Sequence, residues 1–235
     1  MQLSDTTLAI LKNCSQLQNH ILIEAGSTIR TINSHKTTML KCDVEEVFAN
    51  EVRLHNLSDF IRMIALFDNP KFEFGVDSVD IYDDTGAKMT YGYSDREDLV
   101  VEMRDPPELT VTSEFPVLNT QMSKVVRAAQ MNKVEDIGFI CDDGRISIVA
   151  HNKERVTREY KVDINGTSNE DFTLYLKHGR KCAKLLLLPL DYRVQVGTLN
   201  GQVAIRFLFE HEGVKISYLI ASEYGSTIGL QDIPF

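Results

Sequence analysis

Apolar and polar positions along this chain follow two rhythms, and the rhythms come in the same order twice. An amphipathic segment from Ser4 to Asn13 has the spacing of a helix that buries one face. It precedes an alternating stretch, Ile21-Leu22-Ile23-Glu24-Ala25-Gly26-Ser27-Thr28-Ile29, whose period of two predicts half-buried strands. The second half repeats this, with a helix predicted over Thr120 to Met131 and strands over Ile137 to Ile148. Gly26 and Gly144 stand between paired runs, where a hairpin turn uses the positive φ that glycine adopts without steric cost.

A second helical segment follows in each half, Leu57 to Leu66 and Lys177 to Leu186. Period-two strands come next: Lys71 to Val76 and Val79 to Tyr82, against Arg193 to Val196, Val203 to Phe209 and Lys215 to Ile220. Matching elements lie about 118 residues apart throughout, the mark of an internal duplication. The expected fold class is therefore α+β, with two similar domains, each having two helices packed on antiparallel sheets. Between them, the run from Met103 to Pro116 holds three of the six prolines and no pattern long enough for a helix. It reads as an exposed connector. The domains are placed at 1–104 and 117–235, with the connector at 105–116.

A chain of 235 residues has room for two such cores. Its longest apolar runs, such as Leu185 to Leu188, are too short for a membrane-spanning helix. The opening Met1-Gln2-Leu3-Ser4-Asp5 lacks the basic and apolar regions of a signal peptide. Cys14, Cys42, Cys141 and Cys182 are widely spaced, so they read as structural thiols of a reducing cytoplasm.

The formal charge of −9 by itself argues against a nucleic-acid binder. Its distribution argues the other way. The four predicted helices hold eight of the 25 basic residues and only two of the 34 acidic ones. Lys12 and Arg62 each share a helix with one acid, Asp5 and Asp59. Lys124 and Arg127 have none, nor have Lys177, Arg180, Lys181 and Lys184, whose spacing puts four cations on one helix face. Like charges so placed repel, and a face shaped only by solubility interleaves acids. An anionic partner accounts for the pattern better than a merely solvated face. No glycine-rich loop is present to cradle a small phosphate, so the partner expected is duplex DNA, contacted through its backbone without regard to sequence.

Histidines at 20, 35, 55, 151, 178 and 211 show no metal-ligand spacing. The acidic pairs Asp83-Asp84 and Asp142-Asp143 precede glycines and read as turns. No nucleophile context occurs either. The sequence is read as non-enzymatic, with neither cofactor nor metal. A β-rich scaffold or virion assembly protein whose basic helix face meets an acidic protein patch is the competing expectation.

The ordered set of pieces resembles the ring-shaped DNA sliding clamps, the PCNA-like processivity factors, and within them the trimeric clamps of T-even-type bacteriophages. The resemblance spans nearly the whole chain. It is carried by Leu3 to Asn13, by Ile137 to Ile148 followed by His151-Asn152-Lys153, and by the closing strands from Val203 to Ala221. It implies a homotrimer of head-to-tail subunits, with helices lining a central hole and sheets forming the outer wall. The channel lining would be Lys12, Arg62, Lys124, Arg127, Lys177, Arg180, Lys181 and Lys184. It also implies an apolar groove beside the connector that receives the replicative DNA polymerase and the clamp-loader ATPase, with transcription factors as further partners. By position the groove residues would be Ile32, Met39, Leu109, Val111, Val203, Leu219 and Ala221. Subunits would join near Leu99 to Met103 and Thr157 to Asp163. The place of action implied is the cytoplasm of a host cell. A closing segment from Glu223 to Phe235 runs past the last predicted strand and is expected to be a free terminus.

Overall fold

Ser4 starts the first helix, α1 (Asp5–Leu17), by accepting a hydrogen bond at Oγ from the backbone N–H of Thr7 at 3.2 Å. Glu46 closes the same end. Its carboxylate accepts from Thr7 Oγ1 at 2.6 Å and from the Ser4 backbone N–H, so negative charge sits where the helix presents unpaired donors. Burial pushes the Glu46 carboxyl up, but these hydrogen bonds outweigh it and its pKa is lowered. On the inner side Ile10, Leu11, Cys14 and Leu17 are buried at helical spacing. Each such aliphatic side chain contributes about 1.5–3 kcal/mol on burial.

The computed structural model describes residues 1–95, 105–152, 155–177 and 187–229. They cluster into two units, Met1–Pro106 with Glu210–Ile216, and Pro107–Phe209 with Ser217–Phe235.

In the first unit α1 is followed by β1 (Ile21–Ile23), β2 (Gly26–Ile32), β3 (Thr38–Phe48), β4 (Val52–Leu54), α2 (Leu57–Ile64), β5 (Lys71–Phe74), β6 (Ser78–Tyr82) and β7 (Lys88–Gly92). β2 pairs with β3, and β5, β6 and β7 form an antiparallel sheet. β1 pairs with β4, which corrects the hairpin expected at Gly26. All three β1 residues are buried, so the chain has to leave that short ladder before it can begin β2. Gly26, at φ 125°, makes the turn-out. Asn19 then caps α2: its Oδ1 accepts from Ser58 N at 3.0 Å and its amide donates to Asn56 Oδ1. Leu57, Phe60 and Ile64 bury the inner face of α2, with the Phe60 ring edge-on to Tyr91 at 5.4 Å.

The second unit begins with β8 (Thr110–Val117) and α3 (Asn119–Asn132). β9 (Asp136–Asp142), β10 (Arg145–Asn152), β11 (Arg155–Thr167) and β12 (Phe172–Lys177) follow. β13 (Tyr192–Leu199), β14 (Gln202–His211), β15 (Val214–Ala221) and β16 (Thr227–Ile228) complete the chain. The order helix, four strands and later three strands is thus met twice among the described residues. One sheet runs β11-β10-β9-β12-β16, and β13 lies between β8 and β14. Aromatic pairs join these two layers, Phe115 to Phe172 at 6.1 Å and Phe139 to Phe207 at 5.8 Å. The turn at Gly144 is the expected β9–β10 hairpin, with Asp143 at φ 50° and Gly144 at φ 73°.

Two expectations change here. Thr110–Val117, read as part of an exposed connector, is a strand with Ser113, Phe115 and Val117 buried. Pro116 is tolerated because β8 is an edge strand, where a missing donor need not break a ladder. The close pairing of β8 with β13 at its register shift also depends on Gly197, where an added Cβ would lie 2.1 Å from the Thr110 carbonyl oxygen. The closing segment is not free as far as Gly229. β16 pairs with β12 through Phe172↔Ile228 and Thr173↔Thr227, and Gly229 N donates to Asp171 O at 2.8 Å. The remaining six residues lie outside the described set.

Candidate nucleic-acid interface

α3 offers the clearest cationic surface. Its fourteen residues, NTQMSKVVRAAQMN, contain no acid. Met122, Val125, Ala128 and Ala129 turn inward, which leaves Thr120, Ser123, Lys124, Arg127, Gln130 and Met131 on the exposed face. Lys124 and Arg127 are three apart and project together from that face. Among the described residues neither has a carboxylate within ion-pair distance.

On α1 the exposed line is Asp5, Ala9, Lys12 and Gln16, with Lys12 likewise unpaired among the described residues. Arg62 on α2 is exposed but forms an ion pair with Asp59 one turn back, so its field is largely offset locally.

Lys177 corrects the sequence reading. It ends β12 rather than opening a helix, and its ammonium lies 2.7 Å from Asp136 Oδ1 on β9. The helical spacing from 177 to 184 is real in the sequence, but residue 177 is claimed by a cross-strand partner 41 positions away, which periodicity cannot detect. Arg180, Lys181 and Lys184 lie outside the described residues.

The predicted groove residues divide between the units. In the first, Ile32 and Met39 are half-buried register partners on β2 and β3. In the second, Val111 and Ala221 are exposed and Val203 is half-buried. Leu109 and Leu219 are buried, 8% and 4% exposed, so both are core residues and not docking surface. Leu109 lies just before β8, and Leu219 is buried between buried Tyr218 and Ile220, so the period-two alternation of β15 does not mark it as core.

Beside Ile32 and Met39 the structure holds a charged constellation that no periodic pattern announces. Arg30 and Lys41 are directly opposite each other on β2 and β3. Asp105 Oδ1 accepts from both, at 3.1 Å from Arg30 Nε and 2.8 Å from Lys41 Nζ. The hydrogen bond from Lys41, then the charge of Arg30, hold the Asp105 carboxyl below its usual range. The clue available in the sequence was an acid placed immediately before Pro106-Pro107.

The subunit edge expected at Leu99 to Met103 lies outside the described residues. Thr157 to Asp163 falls on β11, which ends its sheet and has β10 as its one ladder neighbour among the described residues. No helix among the described residues is long and apolar enough to cross a membrane.

No family model matches the chain. Curated phage proteins do. The chain is 27% identical over 228 residues to the sliding clamp of Vibrio phage KVP40, covering 95% of this chain and 99% of that one. It is similar to sliding clamps. The clamp of Escherichia phage RB69 is 25% identical over 236 residues and that of Enterobacteria phage T4 22% over 235, each across 97% of this chain and 99% of the relative. Solved structures agree in fold: the PCNA of Entamoeba histolytica aligns with a TM-score of 0.69 over 93% of this chain and 95% of that one, at 12% identity. The PCNA2–PCNA3 complex of Sulfolobus tokodaii aligns with 0.71 over 95% and 99%, also at 12% identity. A. fulgidus PCNA bound to the C-terminal region of FEN-1 aligns with 0.69 over 96% and 98% at the same identity. The chain therefore has the PCNA-like α+β fold, and its likeness to T-even-type phage clamps runs nearly end to end.

Proposed function

We propose that this chain is the processivity factor of a phage replication machinery. It acts as a homotrimer, closed head-to-tail into a ring around double-stranded DNA, and tethers the replicative DNA polymerase while sliding. The observation that carries this reading is the acid-free exposed face of α3, standing on a PCNA-like fold in a chain of net charge −9. Lys124 and Arg127 can meet phosphates electrostatically without reading bases, and the acidic remainder repels DNA elsewhere. Lys12 is a further candidate phosphate contact on the first unit, and Arg180, Lys181 and Lys184 stay in the proposed set on their sequence alone, outside the described residues. Arg62 contributes less because Asp59 stands beside it. Lys177 is withdrawn from the set.

Retention by enclosure needs no catalytic group, and the proposed role is non-enzymatic. An ATP-driven clamp loader loads the ring, and the outer edge of β11 is the candidate subunit edge among the described residues. Polymerase, loader and transcription factors dock on outer apolar residues, with Ile32 and Met39 as the candidates on the first unit and Val111, Val203 and Ala221 as those on the second. The site of action is the cytoplasm of the infected host.

Native mass measurement tests the reading directly: a trimer is expected, and a monomer at micromolar concentration overturns it. Loaded protein should also stay on closed circular DNA and leave linear DNA through its ends. Equal loss from both would return the chain to the class of groove binders or scaffolds.

A further inference from the structure

The outer face of β2 and β3 carries two adjoining rows. Ile32 and Met39 face each other in one, and Arg30 and Lys41 in the next, two residues along each strand and therefore on the same side of the ladder. Opposed cations are unfavourable on a sheet unless an anion lies between them. Here a single oxygen of Asp105 accepts from both. That carboxylate is 64% exposed and belongs to the polypeptide just before Pro106-Pro107, not to the strands it bridges. Glu24 takes another Arg30 nitrogen at 3.3 Å.

We infer that the Arg30–Lys41 pair is a carboxylate receptor for the partner segment that docks on Ile32 and Met39, and that Asp105 is its resident competitor. The occupant is an apolar peptide bearing a carboxylate next to its hydrophobic anchors. When it binds, its carboxylate takes over the two cations and Asp105 is released. Exposed ion pairs are weak, so the exchange is readily reversible. A cation pair held ready by an internal anion avoids like-charge repulsion while the surface is empty and still rewards an acidic partner. This inference rests on the partner-surface reading of Ile32 and Met39 given above.

Two short synthetic peptides test it on the intact protein by fluorescence anisotropy. Both carry leucine and phenylalanine anchors; one has two flanking aspartates and its twin has asparagines. The aspartate peptide should bind the unmodified chain more tightly than the twin. Asp105→Asn should strengthen the aspartate peptide by about two- to fivefold, the range of one exposed ion pair, and leave the twin unchanged. Lys41→Gln should shrink the gap between the peptides. Both positions are at least partly exposed, so these variants fold. A twin that binds normally with no gap, or a gap indifferent to Asp105→Asn, overturns this inference and leaves the docking surface standing. Failure of both peptides to bind overturns the inference and the docking surface together.

Discussion

Lys177 Nζ lies 2.7 Å from Asp136 Oδ1, and the two residues stand directly opposite each other on β12 and β9. The hydrogen bond it donates to Asp136 holds the ammonium above the usual lysine range, against burial, which works downward. Asp136 is only 6% exposed, so its carboxylate has little water to fall back on. Lys177→Met should therefore cost about 1–3 kcal/mol in urea unfolding, and Asp136→Asn in the same chain should recover part of it. Because the lysine pKa is raised by folding, this contribution is complete below about pH 10.4 and is lost as pH climbs through the higher folded value. Retention on circular DNA should match the parent protein; weakened retention would put Lys177 back on the channel wall.

Reversing Lys124 and Arg127 to glutamate should act in the opposite way. Both are exposed and unpaired among the described residues, so stability should change by no more than about 0.5 kcal/mol. DNA association should weaken, and its dependence on log salt should become shallower by roughly 0.9 for each phosphate no longer neutralised. An unchanged salt slope would remove α3 from the DNA-facing surface.

Glu46 ties β3 to the start of α1, and its folded pKa is depressed. Such a group adds stability above its unfolded pKa, about 4.3, and loses it as pH falls through the lower folded value. Glu46→Gln should lower the thermal midpoint at neutral pH and flatten the acid limb of stability below about pH 4.5. If the acid limb of the variant superimposed on that of the parent, the cap would have no part in acid unfolding.

Gly197→Ala forces a methyl group against the Thr110 carbonyl. Backbone has to move, at a cost of about 1–3 kcal/mol. The effect should appear as faster amide hydrogen exchange along β8 and β13, while α1 and α2 keep their protection. Unaltered exchange at β8 would mean that the ladder relaxes freely around the added methyl group.

Much of the fold was legible because its signals are local. The first three helices appear within a few residues of their predicted spans, and the strands after Lys71 and after Tyr192 follow their period-two runs. The exposed, acid-free placement of Lys124 and Arg127 on α3 was legible for the same reason, since spacing and the lack of acids are properties of one short segment. Lys177 and Leu219 were not. One is held by a residue 41 positions away, and the other is buried although it alternates with the inward positions Val214, Ile216, Tyr218 and Ile220 of β15, which strand period does not foretell.

By itself, then, the sequence determined the first three helices, most of the described strands and the acid-free face, because hydrophobic period and charge content act over a few residues at a time. Tertiary structure alone decided that β1 joins β4, that Thr110–Val117 is a strand, and that Asp105 bridges Arg30 and Lys41 from 75 and 64 residues away. Those outcomes depend on which distant groups meet once the layers pack. Ion pairs and ladders respond to distance in space, and distance in space has no local trace along the chain.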